Sequence, residues 1–223
     1  MPEIIGDLTF PPMLRGIMAP DPRAAAIAQA RAGCDGGLIC WRGGDALEVG
    51  LVLAPDVALS RAIQMLPLSA MALRDALGAI GPPELPIHLT WDGRILLNGA
   101  EAGRSRIIAS AGQAEAVPDW IVSHLIFRFL PVDGDIDVTA LWSEGGGDVT
   151  PEDLLQSWSR HLLHRLSEWD DGPESLHVDL TGCSWERESK DAAFIGLDES
   201  FGRLRRDGDA TTMDPLTDLL ETP

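Results

Sequence analysis

The stretch Trp91–Ile107, W-D-G-R-I-L-L-N-G-A-E-A-G-R-S-R-I, constrains the fold more than any other part of the chain. Asn98-Gly99 between two strand-like runs is a strong short-range hairpin signal, because both residues tolerate the positive φ of a two-residue turn. Arg94 lies on the first run and Arg104 and Arg106 on the second. The last two have the same parity, so they share one face of the sheet. Gly103 beside them removes the side chain that would block a close approach.

The rest of the chain supplies the elements around this hairpin. Residues 1–20 are Pro-rich and read as an irregular arm. Asp21-Pro22 is a helix start, a capping side chain followed by Pro at the first helical position, and the Ala-rich run after it stops at Gly33. Gly37–Trp41 and Ala46–Ala54 are strands joined at Gly43-Gly44-Asp45. Leu59–Ile80 has helical periodicity that Pro67 should break or kink. Ile87–Trp91, Arg94–Leu97, Ala102–Ala109 and Trp120–Leu130 read as strands. Thr150-Pro151-Glu152-Asp153 starts a helix whose apolar face carries Trp158 and Trp169 as core anchors. Short strands then follow at Ala192–Leu197, Arg203–Arg206 and Thr211–Leu216, the pattern of a small, highly twisted barrel. The fold class is α+β.

Trp91, Asn98-Gly99 and Gly103, with this order of elements, resemble the biotin/lipoate A/B protein ligase family over about residues 20–170. In that family a Trp opens a strand, Asn-Gly turns the hairpin, and the second strand carries a Lys and then a Gly. The resemblance implies a class II synthetase-like mixed sheet flanked by helices over residues 1–180. It also implies a small SH3-like barrel over residues 183–223. It brings ATP, biotin or lipoate as cofactors by resemblance only, and a carrier protein as a partner.

The departures from the family bear on activity. The Lys slot falls on Ala100 or Glu101, and the only lysine in the chain is Lys190. The Gly/Arg-rich loop that covers ligand in the family is reduced to Arg42-Gly43-Gly44-Asp45. The Pro-Asn-Asp after the Trp reads Asp92-Gly93-Arg94. Neither Ala nor Glu can stabilise charge developing on an activated carboxyl and phosphate. The ligand-binding set expected on this scaffold is Trp41, Arg42, Trp91, Arg94, Gly103, Arg104 and Arg106. The arginines are either a carboxylate or phosphate site or a solvated strand face. Trp41 and Trp91 either stack on a ligand or fill the interior.

Other constellations read as structural. His161 and His164, spaced i, i+3 on a helix, lack a third ligand at motif spacing. Cys34 and Cys40 lack a neighbouring base in sequence. The loop Glu144–Asp148 opposes anions with its own acids and reads as a hinge.

With 35 acidic against 17 basic residues, the net charge of −18 repels nucleic-acid backbones and anionic membrane surfaces. The three cysteines argue against a disulfide framework, and the absence of a signal peptide or spanning segment makes cytoplasm the expected location. Three functions are compatible with these residues. One is a ligase-like protein that has lost or changed adenylation and keeps a pocket for a small anionic or acyl ligand. The second is an active acyl, biotinyl or lipoyl transferase or ligase in which Arg replaces the Lys. The third is a ligand-free interaction protein using its acidic surface.

Overall fold

The computed structural model describes residues 8–110, 112–131, 137–172 and 174–223. In chain order the elements are β1 (Arg15–Met18), α1 (Pro22–Arg31), β2 (Leu38–Arg42), β3 (Ala46–Leu53), α2 (Leu59–Ala62), α3 (Met65–Ile80), β4 (Ile87–Leu89), β5 (Arg94–Leu97), β6 (Ala100–Ala109), β7 (Ile121–Arg128), α4 (Pro151–Asp171), α5 (Glu174–Gly182), α6 (Trp185–Glu188), β8 (Phe194–Leu197), β9 (Arg203–Asp207) and β10 (Ala210–Asp214). A 3₁₀ turn follows at Leu216–Leu219.

A seven-stranded sheet in the order β1-β2-β3-β7-β6-β5-β4 organises the chain. Only β1 pairs in parallel, with β2; the other neighbours are antiparallel, so the sheet is mixed. Strand alternation sends Trp41, Val49, Leu51, Leu125, Phe127 and Ile107 to one face, where α3 and α4 bury them. The other face carries Leu38, Cys40, Val52, Ile108 and Val122 under Ala26 and Ala30 of α1. Helix α1 lies close because Gly50 has no side chain: a Cβ there would stand 2.5 Å from the Pro22 carbonyl oxygen and 2.7 Å from Ala26. The second sheet, β10-β9-β8, is three-stranded and antiparallel, and stands where the small SH3-like barrel is expected.

The helix starts follow their caps. Asp21 accepts from the Ala24 amide at 2.9 Å and Thr150 from the Asp153 amide at 3.1 Å. The helical run at 59–80 breaks one turn before Pro67. Its ring excludes a continuous helix through Ile63, whose carbonyl instead accepts from the Leu66 amide in a tighter turn. Pro67 then sits in the first turn of α3, where its missing N–H costs nothing.

Two sequence expectations are corrected. The arm over residues 1–20 contains a strand, β1, whose pairing partner is β2; residues 1–7 lie outside the described part. Trp91 neither closes the strand expected at Ile87–Trp91 nor opens the next one as in the family pattern. It lies in the turn joining β4 to β5, while Asn98 (φ 49°) and Gly99 (φ 88°) turn the β5–β6 hairpin as expected.

Candidate functional site

The register across five strands sets three of the four expected arginines in one row. Arg42 of β2 is paired with Glu48 of β3, Glu48 with Ile126 of β7, Ile126 with Arg104 of β6, and Arg104 with Arg94 of β5. The next row on the same face is Cys40, Gly50, His124 and Arg106. Helix α1 covers only part of this face. The remainder is a shelf on which, among the described residues that form its ion pairs and hydrogen bonds, Arg23, Arg42, Arg94, Arg104, Arg106 and Arg128 outnumber Glu48, Asp92, Glu101 and Glu221. In a chain whose acids outnumber its bases two to one, that is a local reversal of sign.

The expected arginines do not present free guanidinium groups. Arg42 donates to Glu48 at 2.7 Å, Arg94 to Asp92 at 3.1 Å, Arg104 to Glu101 at 3.4 Å and Arg106 to Glu221 at 2.6 Å. Arg128 donates to the Glu101 carbonyl at 3.3 Å. These side chains are about a third to a half exposed, so each pair is partly screened by water. The Nε groups of Arg104 and Arg23 are buried without an acceptor among the described residues. Asp92 is held below the usual carboxylate range. Burial opposes its ionisation, but the Thr90 hydroxyl at 2.6 Å and the Arg94 guanidinium outweigh that.

The other expected residues lie elsewhere. Trp41 and Gly103 are on the opposite sheet face. There Gly103 makes room for the protein itself: a Cβ would meet the Ile126 carbonyl oxygen at 2.5 Å and the Phe127 ring at 2.9 Å. Trp91 clasps the second sheet. Its indole N–H donates to the Phe201 carbonyl at 3.1 Å, its amide to Glu186 at 2.9 Å, and Arg203 lies 4.4 Å above its ring. The structure therefore groups Arg42, Arg94, Arg104 and Arg106, and leaves Trp41, Trp91 and Gly103 outside the shelf.

Sequence reasoning missed Arg23, Glu48, His124 and Glu221. The buried imidazole of His124 contacts Glu48 at 3.1 Å, and Arg42 holds the other Glu48 oxygen. Burial pushes the imidazole pKa down, Glu48 pulls it up, and Arg23 and Arg106 add to the lowering; the net direction is down. The folded chain therefore takes up this proton less readily than the unfolded chain. The stabilisation is complete above the ordinary imidazole value of about 6.5 and is lost as pH falls below it. We expect the melting temperature to fall between pH 7 and 5.5, and His124→Gln to flatten that slope. An unchanged slope in the variant would assign the titration to another group.

The remaining sequence candidates are accounted for locally. Cys40 is buried under α1 and burial raises its pKa, while Cys34 accepts from the Arg15 guanidinium at 3.0 Å. His164 is exposed beside Glu168 at 3.9 Å. Amides of the Glu144–Asp148 loop bond back to Leu141 and Trp142, which leaves no amide cradle at Glu144–Gly146. Among the described residues no group of three His, Cys, Asp or Glu could hold a metal ion. A largely apolar pocket of about 410 Å³ lies on the other sheet face, between Leu53, Ile121, Met65 and Trp169.

Comparison with known proteins places this geometry. The chain is 38% identical to a biotin protein ligase-like protein of unknown function from Silicibacter sp. TM1040, with a TM-score of 0.89 over 96% of this chain and 100% of that one. Biotin protein ligase from Aquifex aeolicus superposes with a TM-score of 0.72 at 12% identity, over 90% of this chain and 95% of that one. The Leishmania major biotin protein ligase in complex with biotinyl-5-AMP gives 0.58 at 16%, over 91% and 98%. No curated protein sequence matches. The model of the biotin/lipoate A/B protein ligase family matches residues 10–182, which takes in the whole seven-stranded sheet and both helical layers, and the chain belongs to that family.

Proposed function

We propose that this protein is a biotin/lipoate ligase-like protein without the standard adenylation step, which uses the arginine shelf to bind a small anionic or acyl ligand. The observation that carries the loss of adenylation is the β2–β3 connection. It is a tight turn, and it is seated on the start of α4: a Cβ on Gly43 would stand 3.2 Å from the Pro151 ring. No chain remains there to fold over a nucleotide. The Lys slot holds Ala100 or Glu101, and Glu101 faces Arg104, so its charge opposes a phosphate. In the third position after Trp91, Arg94 replaces an acid.

The ligand reading rests on the reversed sign of the shelf and on the Nε of Arg104, which has no acceptor among the described residues. In this reading residues 1–180 carry the ligand, residues 183–223 form a small companion unit clasped by Trp91, and a carrier protein is the partner of a transferred group. Native mass spectrometry of the purified protein should reveal a retained acid. A charge-assisted contact contributes roughly 1.5–3 kcal/mol, so Arg104→Ala should weaken that acid about tenfold or more by calorimetry. Unchanged affinity with the fold intact would reduce the shelf to a solvated strand face. Absence of any retained or added small ligand would favour a protein-interaction role for the acidic surface.

A further inference from the structure

Glu221 lies 115 residues from Arg106 and 198 from Arg23, yet its carboxylate bridges both. One oxygen accepts from Arg106 Nη1 at 2.6 Å and the other from Arg23 Nη2 at 3.1 Å, and Arg23 also reaches the Thr222 carbonyl at 3.4 Å. The segment is held to the sheet by the Glu221 amide, which donates to the Ile107 carbonyl at 2.9 Å. It can sit there because β5 stops short: its pairing with β6 ends at Arg104, so the edge of β6 beyond Ser105 is open.

Two guanidinium groups on one side of a buried imidazole repel each other unless an anion lies between them. They are carried on rigid elements, α1 and β6, so their spacing does not depend on the segment that supplies Glu221. Leu220 packs against the core and the Glu221 amide bonds to β6, but the Glu221 side chain is 28% exposed, so lifting residues 220–222 is a local opening rather than unfolding of the sheet. The Nε of Arg23 is buried without an acceptor among the described residues, so Glu221 leaves one donor of this pair unused.

We propose that Arg23 and Arg106 form a binding site for a small carboxylate, that Glu221 occupies it here as an internal stand-in, and that an external acid enters when residues 220–222 lift. The proposal deepens the reading of the shelf given above and rests on it for the class of ligand. A segment that closes the site lowers the apparent affinity by the fraction of time the site is open.

The test titrates octanoate into the full chain by calorimetry, with octanamide as the neutral control. Glu221→Gln keeps the backbone bond to Ile107 and removes the charge. It should bind octanoate about tenfold or more tightly than the native protein, and adding Arg106→Met should remove the gain. In the native protein, saturating octanoate should speed hydrogen exchange at the Glu221 amide, a readout that needs no variant. Equal octanoate affinity in the native protein and Glu221→Gln overturns this inference and leaves an acid site elsewhere on the shelf. Binding of octanoate by neither overturns both the inference and the reading of the shelf. Unchanged exchange at the Glu221 amide with octanoate bound also overturns the inference.

Discussion

Trp158→Ala is expected to destabilise the protein by about 3–5 kcal/mol, the range found when a large aromatic is removed from a packed interior. Trp158 is fully buried between α4 and α3, and its indole N–H donates to the Ser69 carbonyl at 3.0 Å. Alanine would leave a cavity among Leu154, Leu155, Leu162 and the sheet, and a carbonyl without its donor. Trp158→Phe separates the two effects. It keeps most of the volume and loses the hydrogen bond, so about 1–2 kcal/mol is expected. Urea unfolding measures both. A loss below about 1 kcal/mol for the alanine variant would mean that α4 does not anchor the core.

Arg165→Leu should also be costly, at about 2–3 kcal/mol. The guanidinium of Arg165 joins three helices: it contacts Asp75 of α3 at 2.7 Å, Glu168 of its own α4 at 3.0 Å and Asp179 of α5 at 2.7 Å. Its side chain is only 9% exposed, and although burial opposes its charge, the hydrogen bonds to Asp75 and Asp179 hold it firmly protonated. Breaking a fully buried pair costs roughly 3–5 kcal/mol, because it leaves an uncompensated charge. The expected value is lower here because Asp179 is 47% exposed and can recover water. Asp75→Leu added to Arg165→Leu should restore part of the loss, since two apolar groups replace one stranded charge. If the double variant is no more stable than the single one, the penalty is not electrostatic.

Much of the fold was legible because its signals are local. Asp21, Thr150 and Asn98-Gly99 each act on backbone groups within a few residues, so their effect could be read without knowing any partner. The parity of Arg104 and Arg106 was legible for the same reason. Strand β1 was not: Arg15–Met18 has no alternation of its own, and it is a strand only because β2 offers a parallel edge. Trp91 misled because a tryptophan beside a strand serves a ligand or an interface equally well, and the choice here is made by Phe201 and Arg203, more than a hundred residues on. The charge balance of the shelf was hidden in the same way. Arg106 reads as a free cation until Glu221 is brought back across the open edge of β6, and His124 acquires its meaning only when Glu48 lies beside it on the next strand.

On the proposed reading the family scaffold persists in this protein without adenylate formation. The measurement that checks this is pyrophosphate release from ATP with biotin, lipoate or octanoate present in turn. Release is expected to be no faster than in the absence of the acid, because the covering loop, the lysine and the acid at the third position after Trp91, where Arg94 stands, are all replaced. Release that depends on any one of the three acids would contradict it, and would instead identify an active ligase in which arginine has replaced the lysine.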